Sequence, residues 1–220
     1  MRKILSSLYL LFITVTGFCQ ELKPVKIDSL VTVSLPPGFV KKDTLGQQIF
    51  SANSQYGYMI AIRAANAKNN APLQKEKDLN KVLKNYVKGI QRQSGDGSAQ
   101  NVRDTVIGTL KAKIFTLKSD DGNGNVQNRY FVLLYTTDAT YTFEYVYPDN
   151  RKDLVKGEIK AFTGSIKFSP ELQRNDQYLS NAKGMSLGIK LAIFGGGGLV
   201  IILIIVALIR RKNKADITDF

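Results

Sequence analysis

The feature that most constrains this chain is the run from Leu191 to Ile209, LAIFGGGGLVIILIIVALI, closed by Arg210, Arg211 and Lys212. It holds no charged, amide or hydroxyl side chain. About 20 apolar residues let a helix cross roughly 30 Å of hydrocarbon at about 1.5 Å per residue. A helix that is apolar on every side must be buried, and the rest of the chain is too small to wrap it. The run therefore predicts a transmembrane helix, placed at 187–209 with its flanks.

The amino terminus, MRKILSSLYLLFITVTGFCQ, has the three parts of a secretory signal. Arg2 and Lys3 form its charged region, Ile4 to Val15 its apolar region, and Gly17-Phe18-Cys19 its cleavage site. Phe18 stands where lipidation of Cys19 needs a small residue, so ordinary cleavage before Gln20 is expected. Cys19 is the single cysteine of the 220 residues, and cleavage removes it. The mature chain then has neither disulfide nor thiolate chemistry. Export followed by a stop-transfer helix with cations behind it places the middle of the chain outside the cytoplasm and the carboxyl terminus inside. The expected organisation is a signal peptide at 1–19, an extracytoplasmic domain at 20–169 and a linker at 170–186. The helix at 187–209 and a cytoplasmic basic tail at 210–220 complete it.

Within the domain, Val31, Val33 and Leu35 alternate with Leu30, Thr32 and Ser34, a strand stopped by Pro36-Pro37-Gly38. Gln47 to Phe50 and Tyr58 to Ala64 predict further strands, the second with Tyr58, Ile60 and Ile62 on one face. Gln20 to Lys26 reads as a short lead and Ala65 to Lys75 as a loop. Leu79, Val82, Leu83, Tyr86, Val87 and Ile90 then recur at helical spacing, ended by Ser94-Gly95-Asp96-Gly97. Val102 to Ile107, Ala112 to Leu117, Arg129 to Thr136 and Thr140 to Tyr147 predict antiparallel strands, with Arg129 to Thr136 as the central one. Asp149 or Asn150 is expected to cap a second helix striped by Leu154, Val155, Ile159 and Phe162. A short strand at 165–168 and a polar linker from Pro170 to Lys183 follow.

The residues at this point resemble the PsbP-like fold, named for an extrinsic subunit of photosystem II and shared with bacterial exported proteins. The likeness lies in the strand that opens into Leu35-Pro36-Pro37-Gly38-Phe39, in Thr105 to Phe115 around Gly108, and in the closing Tyr141 to Tyr147 strand. That strand leads into a helix ending Gly164-Ser165-Ile166-Lys167-Phe168, so the likeness spans about Ile27 to Phe168. It implies an α+β domain, an antiparallel sheet packed by two helices, here joined to a carboxyl-terminal transmembrane helix. It also implies a protein that binds, scaffolds or helps assemble others. The family shares no catalytic motif, so no site residue comes with it.

Enzymatic sites find little support in the residues. There is no histidine and, after cleavage, no cysteine, which removes the usual base, thiol nucleophile and common metal ligands. Asp121-x-Asn123-x-Asn125 imitates the start of a calcium loop, but Val126 and Val132 stand where glycine and glutamate are required. Glu144, on an alternating strand, is expected to face solvent. No catalytic residue, cofactor or metal is predicted.

Two surfaces remain. Lys77, Lys81, Lys84, Lys88 and Arg92 cluster on the side of the first helix opposite its apolar stripe. From Gln20 to Ser180 there are 23 Lys and Arg against 16 Asp and Glu, hence a net charge of +7. This face is expected to meet an acidic partner or an anionic membrane surface; nucleic acid is not expected outside the cytoplasm. Gly184, Gly188, Ala192 and Gly196 recur every four residues, a spacing that lets transmembrane helices approach as a homo-oligomer or with another membrane protein. The function expected is that of a membrane-anchored, non-enzymatic binding or assembly module for another envelope protein. The alternatives are a carrier or sensor of a small molecule or lipid and, third, a hydrolase using carboxylates alone.

Overall fold

The computed structural model describes residues 21–67, 71–95, 97–120 and 124–180. The expected signal peptide, the anchor with Gly184, Gly188, Ala192 and Gly196, and the basic tail lie outside the described residues, as do Asp121 and Asn123. Among the described residues, no helix is long and apolar enough to cross a membrane.

In chain order the described elements are β1 (Lys23–Lys26), β2 (Val31–Leu35), β3 (Val40–Thr44), β4 (Gln47–Asn53), β5 (Tyr58–Ala65) and α1 (Glu76–Gln93). They continue with β6 (Ser98–Ile107), β7 (Leu110–Asp120), β8 (Val126–Tyr135), β9 (Ala139–Pro148), α2 (Lys156–Gly164) and β10 (Lys167–Phe168). Seven strands form one antiparallel sheet in the order β3-β4-β5-β9-β8-β7-β6, and β1-β2-β10 form a small second one. The middle of the large sheet is β9, with β8, the strand expected to be central, beside it.

The period of two along β9 sorts its residues between two cores. Tyr141, Phe143, Tyr145 and Tyr147 point into the larger one, against Val31, Val33 and Leu35 of the small sheet and Phe162 of α2. On the other face Phe115, Leu117, Phe131 and Leu133 of β7 and β8 receive Leu79, Leu83 and Val87 of α1. Burying each such side chain stabilises the fold by roughly 2 kcal/mol. Tyr58, Ile60 and Ile62 do share one face of β5, but the side chains that enter the larger core are Met59 and Ala61 between them.

The small sheet is fastened to the large one through a half-buried carboxylate. Asp28 Oδ1 accepts the amides of Leu30 and Val31 at 2.9 and 2.8 Å. Its Oδ2 accepts Arg63 Nε at 2.7 Å from β5 and the Tyr141 hydroxyl at 2.6 Å from β9. Burial alone would raise this carboxyl, and these four donors together outweigh it and hold Asp28 below its ordinary value. The same burial and the bond to Asp28 push the Tyr141 phenol up.

The packing corrects three expectations and adds one strand, Val40–Thr44, that the residue pattern does not predict. Lys23–Lys26 and Val40–Thr44 are strands although they alternate poorly, because each needs only one neighbour, β2 or β4. The second helix begins at Lys156, since the chain first makes a 3-10 turn at Asp149–Arg151; Leu154 is left exposed while Val155 and Phe162 are buried. The polar stretch from Pro170, read as linker, packs on the domain as far as Ser180. There Leu172, Gln177 and Tyr178 are buried, and Leu179 and Ser180 donate amides to Leu73 and Gln74 at 2.9 Å. Gln177 completes the seam, its amide Nε2 donating to the carbonyls of Lys111 and Tyr135 and its Oε1 accepting from Lys111 N–H.

The β3–β4 hairpin turns on Leu45 and Gly46, both with positive φ, 49° and 76°. That twist suits the hairpin but suits leucine poorly, and Leu45 is 99% exposed. Leu45→Gly is expected to raise stability by about 1 kcal/mol in a denaturant titration, and an unchanged or lowered midpoint would show that the side chain is held by contacts of its own.

Asp28→Asn is expected to cost about 2 kcal/mol, since it sets an amide against two donors. A carboxyl whose folded pKa is depressed contributes stability above its unfolded pKa and loses it as pH falls through the folded one. Wild-type stability should therefore fall from about pH 4 downward more steeply than that of Asp28→Asn; parallel acid limbs would remove Asp28 as the cause.

Candidate functional site

Helix α1 is held from its apolar side, and this decides what its other side presents. Leu79, Leu83 and Val87 are buried, whereas Lys77, Lys81, Lys84, Lys88 and Arg92 are all exposed. The described acids nearest in sequence are engaged elsewhere: Glu76 pairs with Lys111 of β7 at 2.5 Å, and Asp78 accepts the amide of Lys75 at 3.0 Å. Among the described residues, none of the five cations takes part in an ion pair. Their charge is thus offered to whatever lies opposite, over the roughly 8–10 Å that salt screening allows.

Two grooves flank the helix. The one between α1 and the edge strand β6 measures about 490 Å³ and is lined by Lys84, Lys88 and Gln91 of the helix and by Val102, Asp104 and Lys113 of the sheet. Lys113 donates to Asp104 across its floor, which satisfies the one acid present among those lining residues. Val102 and Val106 stand on the same side of β6, 47% and 60% exposed. The groove therefore joins the predicted Lys84 and Lys88 to edge-strand residues that helical spacing could not single out. The alternation Val102-x-Asp104-x-Val106 was the only sign of them in the sequence.

On the opposite flank α1 leaves β5 and β9 partly uncovered. This groove measures about 760 Å³, and Ile62, Tyr86, Ile90, Arg129 and Thr142 are among its lining residues. Tyr86 closes one side of it, its hydroxyl 3.0 Å from Thr140 Oγ1. Glu144, expected to face solvent, is instead buried on this face of β9, where Arg129 reaches over from β8 to pair with it. Its Oε1 accepts Arg129 Nε at 2.5 Å, and the guanidinium lies over the Phe131 ring at 5.1 Å. Arg129→Leu would strand a buried carboxylate and is expected to destabilise by about 3 kcal/mol. Pairing it with Glu144→Leu should recover most of that loss; additive losses would mean that the two side chains are not coupled.

A third cavity, about 500 Å³, opens beside α2 among Leu22, Tyr56, Met59, Leu154 and the carboxylates of Glu21 and Glu158. Glu158 accepts the hydroxyl of Tyr145, which also lies 2.8 Å from Ser54 Oγ. Burial and the bond to Glu158 push this phenol well above its ordinary value, so it donates rather than ionises.

The arrangement defines a PsbP-like α+β domain that displays a cationic helix. A solved structure agrees on the fold. The cyanobacterial PsbP of Synechocystis (CyanoP) superposes with a TM-score of 0.50 at 16% identity, covering 70% of this chain and 96% of that one. The Ran-binding protein Mog1p of Saccharomyces cerevisiae gives 0.44 at 10% identity, over 67% of this chain and 95% of that one. LpqN of Mycobacterium tuberculosis, involved in cell envelope biogenesis, gives 0.43 at 12%, over 68% and 91%. Neither a protein-family model nor a curated protein sequence matches the chain.

Proposed function

We propose that this chain is a non-enzymatic binding or assembly module, anchored in a cell-envelope membrane by residues 187–209, whose α1 face engages an acidic surface of another envelope protein. The observation that carries the reading is the row of five exposed cations on one helix, unmatched by any acid among the described residues. The position of Ser180 supports it. The described chain ends bonded to Gln74, and Ser180 bridges Lys75, one residue before the helix begins. The basic helix is thereby tied to the point from which the chain continues toward the proposed anchor.

A photo-crosslinking residue at position 84 or 88 of the full chain, expressed in its own membrane, is expected to give a discrete protein adduct. The same residue at Leu154, beside α2, should give none. Charge reversal at Lys81, Lys84 and Lys88 should remove the adduct made from position 92, as should raised salt. Equal adducts from both sides of the domain would reject the basic face as the docking surface. Retention of the charge-reversed chain on phosphatidylglycerol vesicles, matching that of the wild type, would likewise remove anionic lipid as its counterpart.

The cavity beside α2 supports a second reading, a carrier or sensor holding an apolar small molecule against Leu22, Met59 and Leu154. Native mass spectrometry of the intact protein released from detergent would show a retained ligand of constant mass if this reading holds. It would show the bare chain mass if it does not.

A further inference from the structure

The large sheet ends at β3 on one side and β6 on the other, and the two edges are built differently. β3 reads Val40-Lys41-Lys42-Asp43-Thr44, three charges in a row of the kind that keep stray strands away. β6 closes on Thr105-Val106-Ile107, with no charge in those three residues and Val106 60% exposed. Among the described residues β6 pairs with β7 alone.

The turn tells which β6 groups face outward. Gly108, at φ 59°, and Thr109 form a two-residue hairpin loop between Ile107 and Leu110, so that pair exchanges both ladder bonds. Antiparallel pairing alternates from there. Ile107, Thr105 and Arg103 bond inward to β7, while Val106 and Asp104 turn their amides and carbonyls away from it. A bulge between Gln100 and Arg103, with Asn101 at φ 54°, limits the regular edge to Arg103–Ile107, about 17 Å of strand.

We propose that this edge accepts an added β-strand from a partner protein, an extended segment with acidic side chains at alternate positions. The outward groups of Asp104 and Val106 supply the main-chain bonds. Side chains of the incoming strand that point to the α1 side enter the groove of Lys84 and Lys88, where carboxylates match the uncompensated charge. Asp104 does not oppose them, because Lys113 already neutralises it. The inference rests on the reading of α1 as the face for an acidic protein partner, and adds to it how that partner is held.

The test uses the full chain in detergent and synthetic ten-residue peptides of Thr and Val with Glu at every second position, followed by fluorescence anisotropy. The Glu peptide should bind, and its Lys counterpart should not. Methylating one alternate set of peptide amides should weaken binding at least tenfold, while methylating the other set should leave it unchanged, because only one edge of an added strand meets β6. Val106→Pro removes an outward amide without touching the β7 ladder and should also cost at least tenfold. Lys84→Glu with Lys88→Glu should do the same. Equal binding of both methylated peptides overturns strand addition yet leaves the charged face standing. Insensitivity to Lys84→Glu and Lys88→Glu rejects the charged face itself, and no binding by the Glu peptide overturns the proposal outright.

Discussion

A β-sheet has two faces and two edges, and its backbone and apolar side chains leave none of them neutral toward water. Here one face is covered along most of its width by the small sheet and α2, with Tyr141, Phe143 and Tyr145 of β9 supplying the contact. The other is covered by a single helix that spans β7 and β8 and leaves β5 half-open. One helix cannot cover seven strands, since sheet neighbours lie about 4.8 Å apart and a helix is about 10 Å wide. From that mismatch follow both grooves beside α1, one of them lined by the Arg129 that pairs with buried Glu144.

Electrostatics divides along the same lines. Charges that the fold buries or half-buries are matched within it: Asp28 with Arg63, Glu144 with Arg129, Lys113 with Asp104. Two of these pairs bridge neighbouring strands of the large sheet, and Asp28 joins the two sheets. The row from Lys77 to Arg92 is the exception, because its helix spends Glu76 on Lys111 and Asp78 on the backbone of Lys75. A cationic row left unmatched on a folded surface contributes little to stability and much to the encounter with an opposite charge.

How much of this could be read from the residues depended on how strongly each position is buried. The period of two in Val31–Leu35 and Tyr141–Tyr147, and the period of 3.6 from Leu79 to Ile90, reflect faces that are fully covered, so those elements were legible. The edge strands Lys23–Lys26 and Val40–Thr44 were not, because an edge that faces water on most sides imposes no alternation. Glu144 escapes the alternation for a related reason: its neighbours Thr142 and Val146 are half-exposed, and the position between them is paired by Arg129 reaching over from β8. The stretch after Pro170 looked like a linker because Gln177 and Tyr178 are polar by type. Gln177 is held by bonds to Lys111 and Tyr135, distant in sequence, and Tyr178 by packing into the core beneath α1. The five cations of α1 could be placed by helical spacing, whereas the groove that gives Lys84 and Lys88 a second wall needed the β6 register.

Docking at the basic helix by strand addition requires β6 to be an uncovered edge beside it. Residue-resolved amide exchange on the unliganded full chain measures this directly. Arg103, Thr105 and Ile107 should be protected alongside β7, while Asp104 and Val106 between them exchange near the rate of an unstructured peptide. Uniform protection across Arg103–Ile107 would mean that the edge is already occupied within the protein, and the sheet would then have no open side to offer.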